Sequence, residues 1–178
     1  LTELVAFHKI ECSVTALEIS NQRIKTMCDL GKRLGHNVPV LQGDASRLDW
    51  WDKKPFTHIL VDAPCSSSGT IRRNPDIKLL LKEKNLQFFQ QKQLHILTNL
   101  WDKLSPGGLM FYSTCSLFRE ENDLLIQKFV EEKDAEILKL KVPENVANAL
   151  FTNYGCNLLP FDKISDGFYC SLISKKTI

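Results

Sequence analysis

The sequence predicts an α/β fold, a mostly parallel sheet with helices on both faces. Three observations lead there. Short β-branched and apolar runs alternate with amphipathic helical stretches, the pattern of repeated β-α-β units. The run 57–61 ends in Ile59-Leu60-Val61 without polar alternation, as expected of a central strand covered on both faces. The chain has 178 residues, 43% hydrophobic and 25% charged, which is enough for one core and unlike a disordered or low-complexity chain.

The elements follow in order. Residues 14–17 form a first strand ending at Glu18. Ser20 caps a helix with Ile24, Cys28 and Leu34 at helical spacing, and Gly35 stops it. Residues 38–41 form a second strand, followed by Gly43-Asp44. Residues 57–61 form the third, ending at Asp62, and a Pro/Ser/Gly-rich loop occupies 63–74. A helical stretch runs from 75 to 82. A long helix over 86–104 carries the stripe Leu86, Phe89, Leu94, Leu97, Leu100 and Leu104. Ser105-Pro106-Gly107-Gly108 breaks the chain before a fourth strand at 109–112, which leads into Ser113-Thr114-Cys115-Ser116. A helix over 120–132 turns Leu124, Leu125 and Phe129 inward. Residues 136–140 form a strand, 143–160 read as loop, and 168–173 form the last strand.

Charge excludes little: 23 basic against 21 acidic residues leave a net +2, too mild to demand an anionic partner. No apolar run approaches the roughly 18 residues of a membrane helix, and the first residues are not expected to form a signal peptide. The six cysteines contain no C-x-x-C pair and the four histidines are scattered, so no metal site is expected. Cys12, Cys28, Cys156 and Cys170 read as small buried hydrophobes in a reducing cytoplasm.

Cys65 and Cys115 stand apart. Sheets of this kind bind ligands at the carboxyl ends of their strands. Those ends here carry Glu18, Asp44, Asp62 with Cys65, and Cys115, all expected on one rim. Glu18 suits the two hydroxyls of a ribose, or simply the start of the next helix. Asp44 suits an adenine amino group, or a turn after Gly43. A helix after Ser116 would lower the Cys115 thiol pKa, making it a nucleophile for an electrophilic carbon. A redox disulfide between Cys65 and Cys115 is the competing reading.

Taken together, Asp62-Ala63-Pro64-Cys65-Ser66, Gly69, Ile71-Arg72-Arg73-Asn74-Pro75-Asp76, Tyr112-Ser113-Thr114-Cys115-Ser116 with Glu120-Glu121-Asn122, and Asp166-Gly167-Phe168 resemble the S-adenosylmethionine-dependent RNA cytosine-5 methyltransferases. The run at 71–78 is most similar to the bacterial Sun family, the RsmB type acting on small-subunit ribosomal RNA. The resemblance implies a Rossmann-like class I methyltransferase fold, with residues 1–178 as one catalytic domain. It implies that Cys115 attacks carbon 6 of cytosine, that Asp62 holds the ring nitrogen and amino edge, and that Cys65 assists release. Glu18, Asp44 and Asp62 would contact S-adenosylmethionine, and the target base would leave its stack.

Arg72 and Arg73 would contact RNA phosphate, with Lys78 and Lys82 extending the strip, or would be a solvated pair supporting the loop. Trp50 and Trp51 would stack on a base or, more simply, pack a helix against the sheet. Asp166-Gly167-Phe168 is expected to act mainly in structure. The expected partner is RNA, ribosomal RNA first, with no membrane, in the cytoplasm.

The sequence departs from that family at its start. The glycine-rich turn of the Pro-Gly-Gly-Lys-Thr kind, its preceding strand and the N-terminal RNA-binding region have no counterpart. Residues 1–8 read as the remainder of the first helix, and the absent strand would lie between those ending at Glu18 and Asp62. The chain is therefore expected to be an excerpt of a longer protein, one piece of a split gene with a separately encoded N-terminal portion, or a decayed fragment. The alternative function is an RNA-binding or assembly partner without independent catalysis.

Overall fold

A computed structural model describes residues 12–143, 146, 148–160 and 165–177. The helix expected at residues 1–8 lies outside them. The chain divides into two compact units, Leu1–Lys53 and Lys54–Ile178.

In the first unit, β1 (Ala16–Glu18) and β2 (Val40–Gln42) pair in parallel, joined by α1 (Asn21–Leu34). Both caps are those expected from the sequence. The Ser20 hydroxyl accepts the Arg23 N–H at 3.4 Å. Gly35 takes the left-handed conformation at φ 72°, while the His36 N–H reaches the Gly31 carbonyl at 2.9 Å. Burial departs from expectation. No residue of α1 is buried, and Cys28 and Cys12 are exposed rather than packed. Among the described residues of that unit, two strands of three residues offer a helix little apolar surface to pack on.

The second unit contains β3 (Phe56–Asp62), α2 (Ile77–Leu80), α3 (Glu83–Trp101), β4 (Leu104–Thr114), α4 (Asp123–Glu132), β5 (Ala135–Leu138), β6 (Ala149–Phe151), β7 (Cys156–Leu158) and β8 (Phe168–Lys175). β3 and β4 are parallel, the crossover geometry expected of a β-α-β unit. β8 lies antiparallel on the other edge of β4. The far edge of β8 is shared: β7 pairs with its first residues and β5 with its last. The core gathers Leu97 and Trp101 of α3, Met110 and Tyr112 of β4, Leu125, Ile126 and Phe129 of α4, and Tyr169 and Ile173 of β8. The Trp101 and Phe129 rings meet edge to face at 5.3 Å.

Four sequence expectations change. Among the described residues β3 is an edge strand, and its apolar run is not covered on both faces: Val61 is buried, but Leu60 is 51% exposed. The breaker at 105–108 lies inside β4 as a register irregularity, where β3 advances from Phe56 to His58 while β4 advances from Leu104 to Leu109. In α4 it is Ile126, not Leu124, that turns inward. Residues 143–160 contain the β6–β7 hairpin, in which Cys156 is buried and faces half-buried Cys170 across β7 and β8. No helix among the described residues is long and apolar enough to cross a membrane.

Candidate active site

Parallel pairing of β3 with β4 sets Asp62 opposite Ser113, so both strands deliver their exits to the same edge of the sheet. The Ala63 N–H continues the ladder to the Ser113 carbonyl at 3.0 Å. Beyond it the two expected cysteines meet, with Cys65 Sγ and Cys115 Sγ 3.4 Å apart. Both are free thiols at a hydrogen-bonding separation, not a disulfide. The Ser67 hydroxyl lies 3.5 Å from Cys115 Sγ.

The pair shares its protons unequally. The hydrogen bond from Cys65 holds the Cys115 thiol down to about 6, with help from Ser67, against the opposing effects of burial and of the Asp62 charge. That same hydrogen bond, together with burial, pushes the Cys65 thiol far above the ordinary thiol range. The two titrate as a pair, and the first proton lost leaves the thiolate on Cys115. The expected helix effect is replaced by these contacts: α4 begins only at Asp123, and the lowering comes from Cys65 and Ser67. Cys115 alkylation by iodoacetamide is therefore expected to rise about tenfold per pH unit below about 6 and to level off above it, while Cys65 stays slow. Mass spectrometry of peptides quenched across pH reads both.

The loop 63–74 is tied down at several points. The Gly69 N–H donates to the Cys115 carbonyl at 2.9 Å, and the Gly167 N–H donates to the Gly69 carbonyl at 2.9 Å. A Cβ on Gly69 would lie 2.9 Å from the Cys115 oxygen and 2.7 Å from the Gly167 carbonyl carbon, so only glycine fits there. Asn122 secures the other loop: Thr114 Oγ1 donates to its Oδ1 at 2.7 Å, and its Nδ2 donates to the Ser116 carbonyl at 2.9 Å.

The remaining sequence candidates fall out as follows. Asp62 stands exposed at the end of β3. Arg73 Nε donates to Asp166 Oδ2 at 2.8 Å, with a second contact through Nη2, and Arg72 Nη2 lies 3.7 Å from Asp166 Oδ1. The Arg73 guanidinium beside Asp166 holds that carboxyl below its ordinary range. The two arginines thus share one carboxylate, and through Asp166 the segment 165–167 is bound to the loop, the structural role expected of it. In the first unit, Glu18 Oε1 accepts the Ser20 N–H at 2.9 Å and Oε2 lies 3.7 Å from Arg23. Asp44 Oδ1 accepts from both the Ser46 N–H at 2.9 Å and its hydroxyl at 2.7 Å, closing a turn. Trp50 packs on Gly43 and donates its indole N–H to the Asp44 carbonyl at 2.9 Å, which is a packing role.

Sequence reasoning assigned no role to the buried polar set beneath the cysteines: Ser66, Ser68, Gln93, Ser116, Glu121 and Asn122. One signal was available. Gln93 lies four residues from both Phe89 and Leu97, a polar side chain on the apolar stripe of α3.

Known proteins resemble this chain in sequence and in fold. Ribosomal RNA small subunit methyltransferase B of Escherichia coli O127:H6 is 39% identical over 168 residues, covering 93% of this chain and 37% of that protein. The chain thus spans little more than a third of the length of that curated relative. The crystal structure of PH0851 superposes with a TM-score of 0.86 at 30% identity, over 97% of this chain and 39% of that one. NSun6 from Pyrococcus horikoshii, solved with SFG, shares the fold with a TM-score of 0.85 at 23% identity, over 99% of this chain and 45% of that one. The family described as 16S rRNA methyltransferase RsmB/F matches residues 1–174. With the two strand-end cysteines and the loops that hold them falling inside that match, the chain belongs to the RsmB/F family of 16S rRNA methyltransferases.

Proposed function

We propose that the protein methylates carbon 5 of a cytosine in RNA, with 16S ribosomal RNA as its substrate in the cytoplasm and S-adenosylmethionine as methyl donor. The observation that carries this reading is the Cys65–Cys115 pair, 3.4 Å apart with the thiolate on Cys115. Carbon 5 of cytosine is a poor nucleophile. Attack of the Cys115 thiolate on carbon 6 forms a C–S bond and moves the ring electrons toward carbon 5, making it enamine-like. Asp62, exposed at the end of β3, holds the ring nitrogen and amino edge and helps to protonate the ring as the C–S bond forms. Once carbon 5 has taken the methyl group, its proton passes to a base or water, and that loss expels the Cys115 thiolate, restores the ring and frees the enzyme. The Cys65 thiol stabilises that departing thiolate through the same hydrogen bond that favours it at rest.

The chemistry of the donor set fits S-adenosylmethionine. Glu18 ends β1, a parallel strand, and its carboxylate is oriented by the Ser20 N–H, a geometry suited to a ribose diol. Asp44 marks the corresponding exit of β2, where its turn would present an acceptor to an adenine amino group. When bound, the cofactor supplies an electrophilic methyl group. Arg72, 46% exposed, and Arg73 take RNA phosphate beside the cysteines.

The test is nucleoside mass spectrometry of 16S RNA incubated with the protein and methyl-labelled S-adenosylmethionine. Labelled 5-methylcytidine is expected with the wild-type protein and none with Cys115→Ala. Labelled 5-methylcytidine from Cys115→Ala would overturn the nucleophile, and label on another base would overturn the reaction.

A further inference from the structure

Glu121 is fully buried, and no basic side chain pairs with it among the ion pairs described. Its carboxylate instead collects four donors. Oε1 accepts the Ser66 N–H at 2.9 Å and Gln93 Nε2 at 2.9 Å. Oε2 accepts the hydroxyls of Ser66 and Ser116. Four donors fill the acceptor sites of a carboxylate. Three of them come from residues adjacent to a cysteine: Ser66 follows Cys65, and Ser116 follows Cys115. The fourth, Gln93, also donates to the Pro64 carbonyl at 2.8 Å, on the other side of Cys65. Ser68 completes the cluster, within 3.3 Å of the Ser66 oxygen and 3.2 Å of the Ser116 oxygen, and accepts the Leu117 N–H at 2.9 Å. Below, the Tyr112 hydroxyl donates to the Glu121 carbonyl at 2.7 Å and fixes its backbone.

We propose that Glu121 is a positioning residue that spans the two cysteine loops and sets the Cys65–Cys115 hydrogen bond. It rests on the reading of Cys115 as the nucleophile, and it deepens that reading by naming what holds the thiol pair in register. The two loops leave different strands and share one backbone hydrogen bond, from Gly69 to Cys115. The Ser66 and Ser116 oxygens also lie 3.1 Å apart, and Ser68 meets Ser116 and Leu117; without Glu121, Ser66 and Ser116 lose their common acceptor and the separation of the sulfurs can change. The groups facing Cys115 are Asp62 at the end of β3 and Cys65, Ser67 and Arg73 on the loop. Glu121 touches none of the reacting atoms and acts through geometry.

The test reads the pH profile of Cys115 alkylation in the 178-residue chain, with folding followed by circular dichroism. Glu121→Ala is expected to move the midpoint upward toward the ordinary thiol range, slowing alkylation at pH 7 about tenfold or more. Glu121→Gln is expected to keep the wild-type profile, because its carbonyl takes the two N–H donors and its amide can donate to the two serine oxygens. If Glu121→Ala does not fold, the double variant Ser66→Ala/Ser116→Ala removes the two hydroxyl contacts of the bridge, leaving the Ser66 N–H and Gln93 on Glu121, and is expected to move the midpoint in the same direction by less. A folded Glu121→Ala or double-serine variant with the wild-type midpoint overturns the proposal, as does a Glu121→Gln profile that matches Glu121→Ala. Alkylation involves no RNA, so the result stands apart from whether Cys115→Ala still methylates.

Discussion

Cys65→Ala is expected to leave RNA covalently attached to the protein after denaturing electrophoresis, whereas the wild-type protein shows little adduct and Cys65→Ala/Cys115→Ala none. The two sulfurs lie 3.4 Å apart, and the Cys65 hydrogen bond is the largest influence holding Cys115 near 6. A thiolate so stabilised is a good leaving group, because the donor that lowers its basicity at rest also lowers the barrier to its departure. Removing that donor raises the basicity of the departing sulfur. The adduct still forms above the new ionisation midpoint and breaks down slowly. Loss of a positioned proton donor costs on the order of 100-fold, so release is expected to slow by about that factor. An adduct that requires Cys65 but survives Cys115→Ala would reverse the roles of the two cysteines.

The second large effect is expected at a position with no chemistry. Gly69→Ala brings a Cβ to within 2.7 Å of the Gly167 carbonyl carbon and 2.9 Å of the Cys115 carbonyl oxygen. Both neighbours are backbone, so neither can rotate aside, and overpacking of this kind costs about 1–3 kcal/mol or more. Gly167 has little room to yield on its far side, where a Cβ would fall 2.6 Å from Leu117 Cδ2. The loop must move, and Cys115 moves with it. A displacement of about 1 Å can cost 100-fold in rate, so methyl transfer is expected to fall by about that factor with a smaller loss of stability. Single-turnover methylation and thermal melting separate the two. A melting point lowered with an unchanged turnover rate would show that the loop tolerates the shift.

Local signals carried the strand-to-helix order, the caps Ser20 and Gly35, and the meeting of Cys65 with Cys115. Caps are read within four residues, and parallel strands place their exits together whatever lies between them. The misses depend on partners distant in sequence. Leu60 is apolar like its neighbours, yet its exposure depends on what packs on its face of the sheet. The β6–β7 hairpin is three residues a side and gains its place by pairing with β8. Glu121 reads as a charge near the start of a surface helix. Only the folded chain surrounds it with Ser66, Gln93 and Ser116, drawn from sequence positions up to 55 apart.

The shared edge of β8 has a consequence for how the second unit comes together. β4, β5 and β7 all precede β8 in the chain, and each uses it as a hydrogen-bonding partner. During synthesis the helices and the β3–β4 pair can collapse early, but one flank of β4 and the strands β5 and β7 keep unpaired amides until Phe168–Lys175 emerges. Closure of this sheet thus waits on β8. A chain stalled before it exposes the apolar side chains that Tyr169 and Ile173 would cover, which makes that intermediate the natural target for chaperone capture or aggregation.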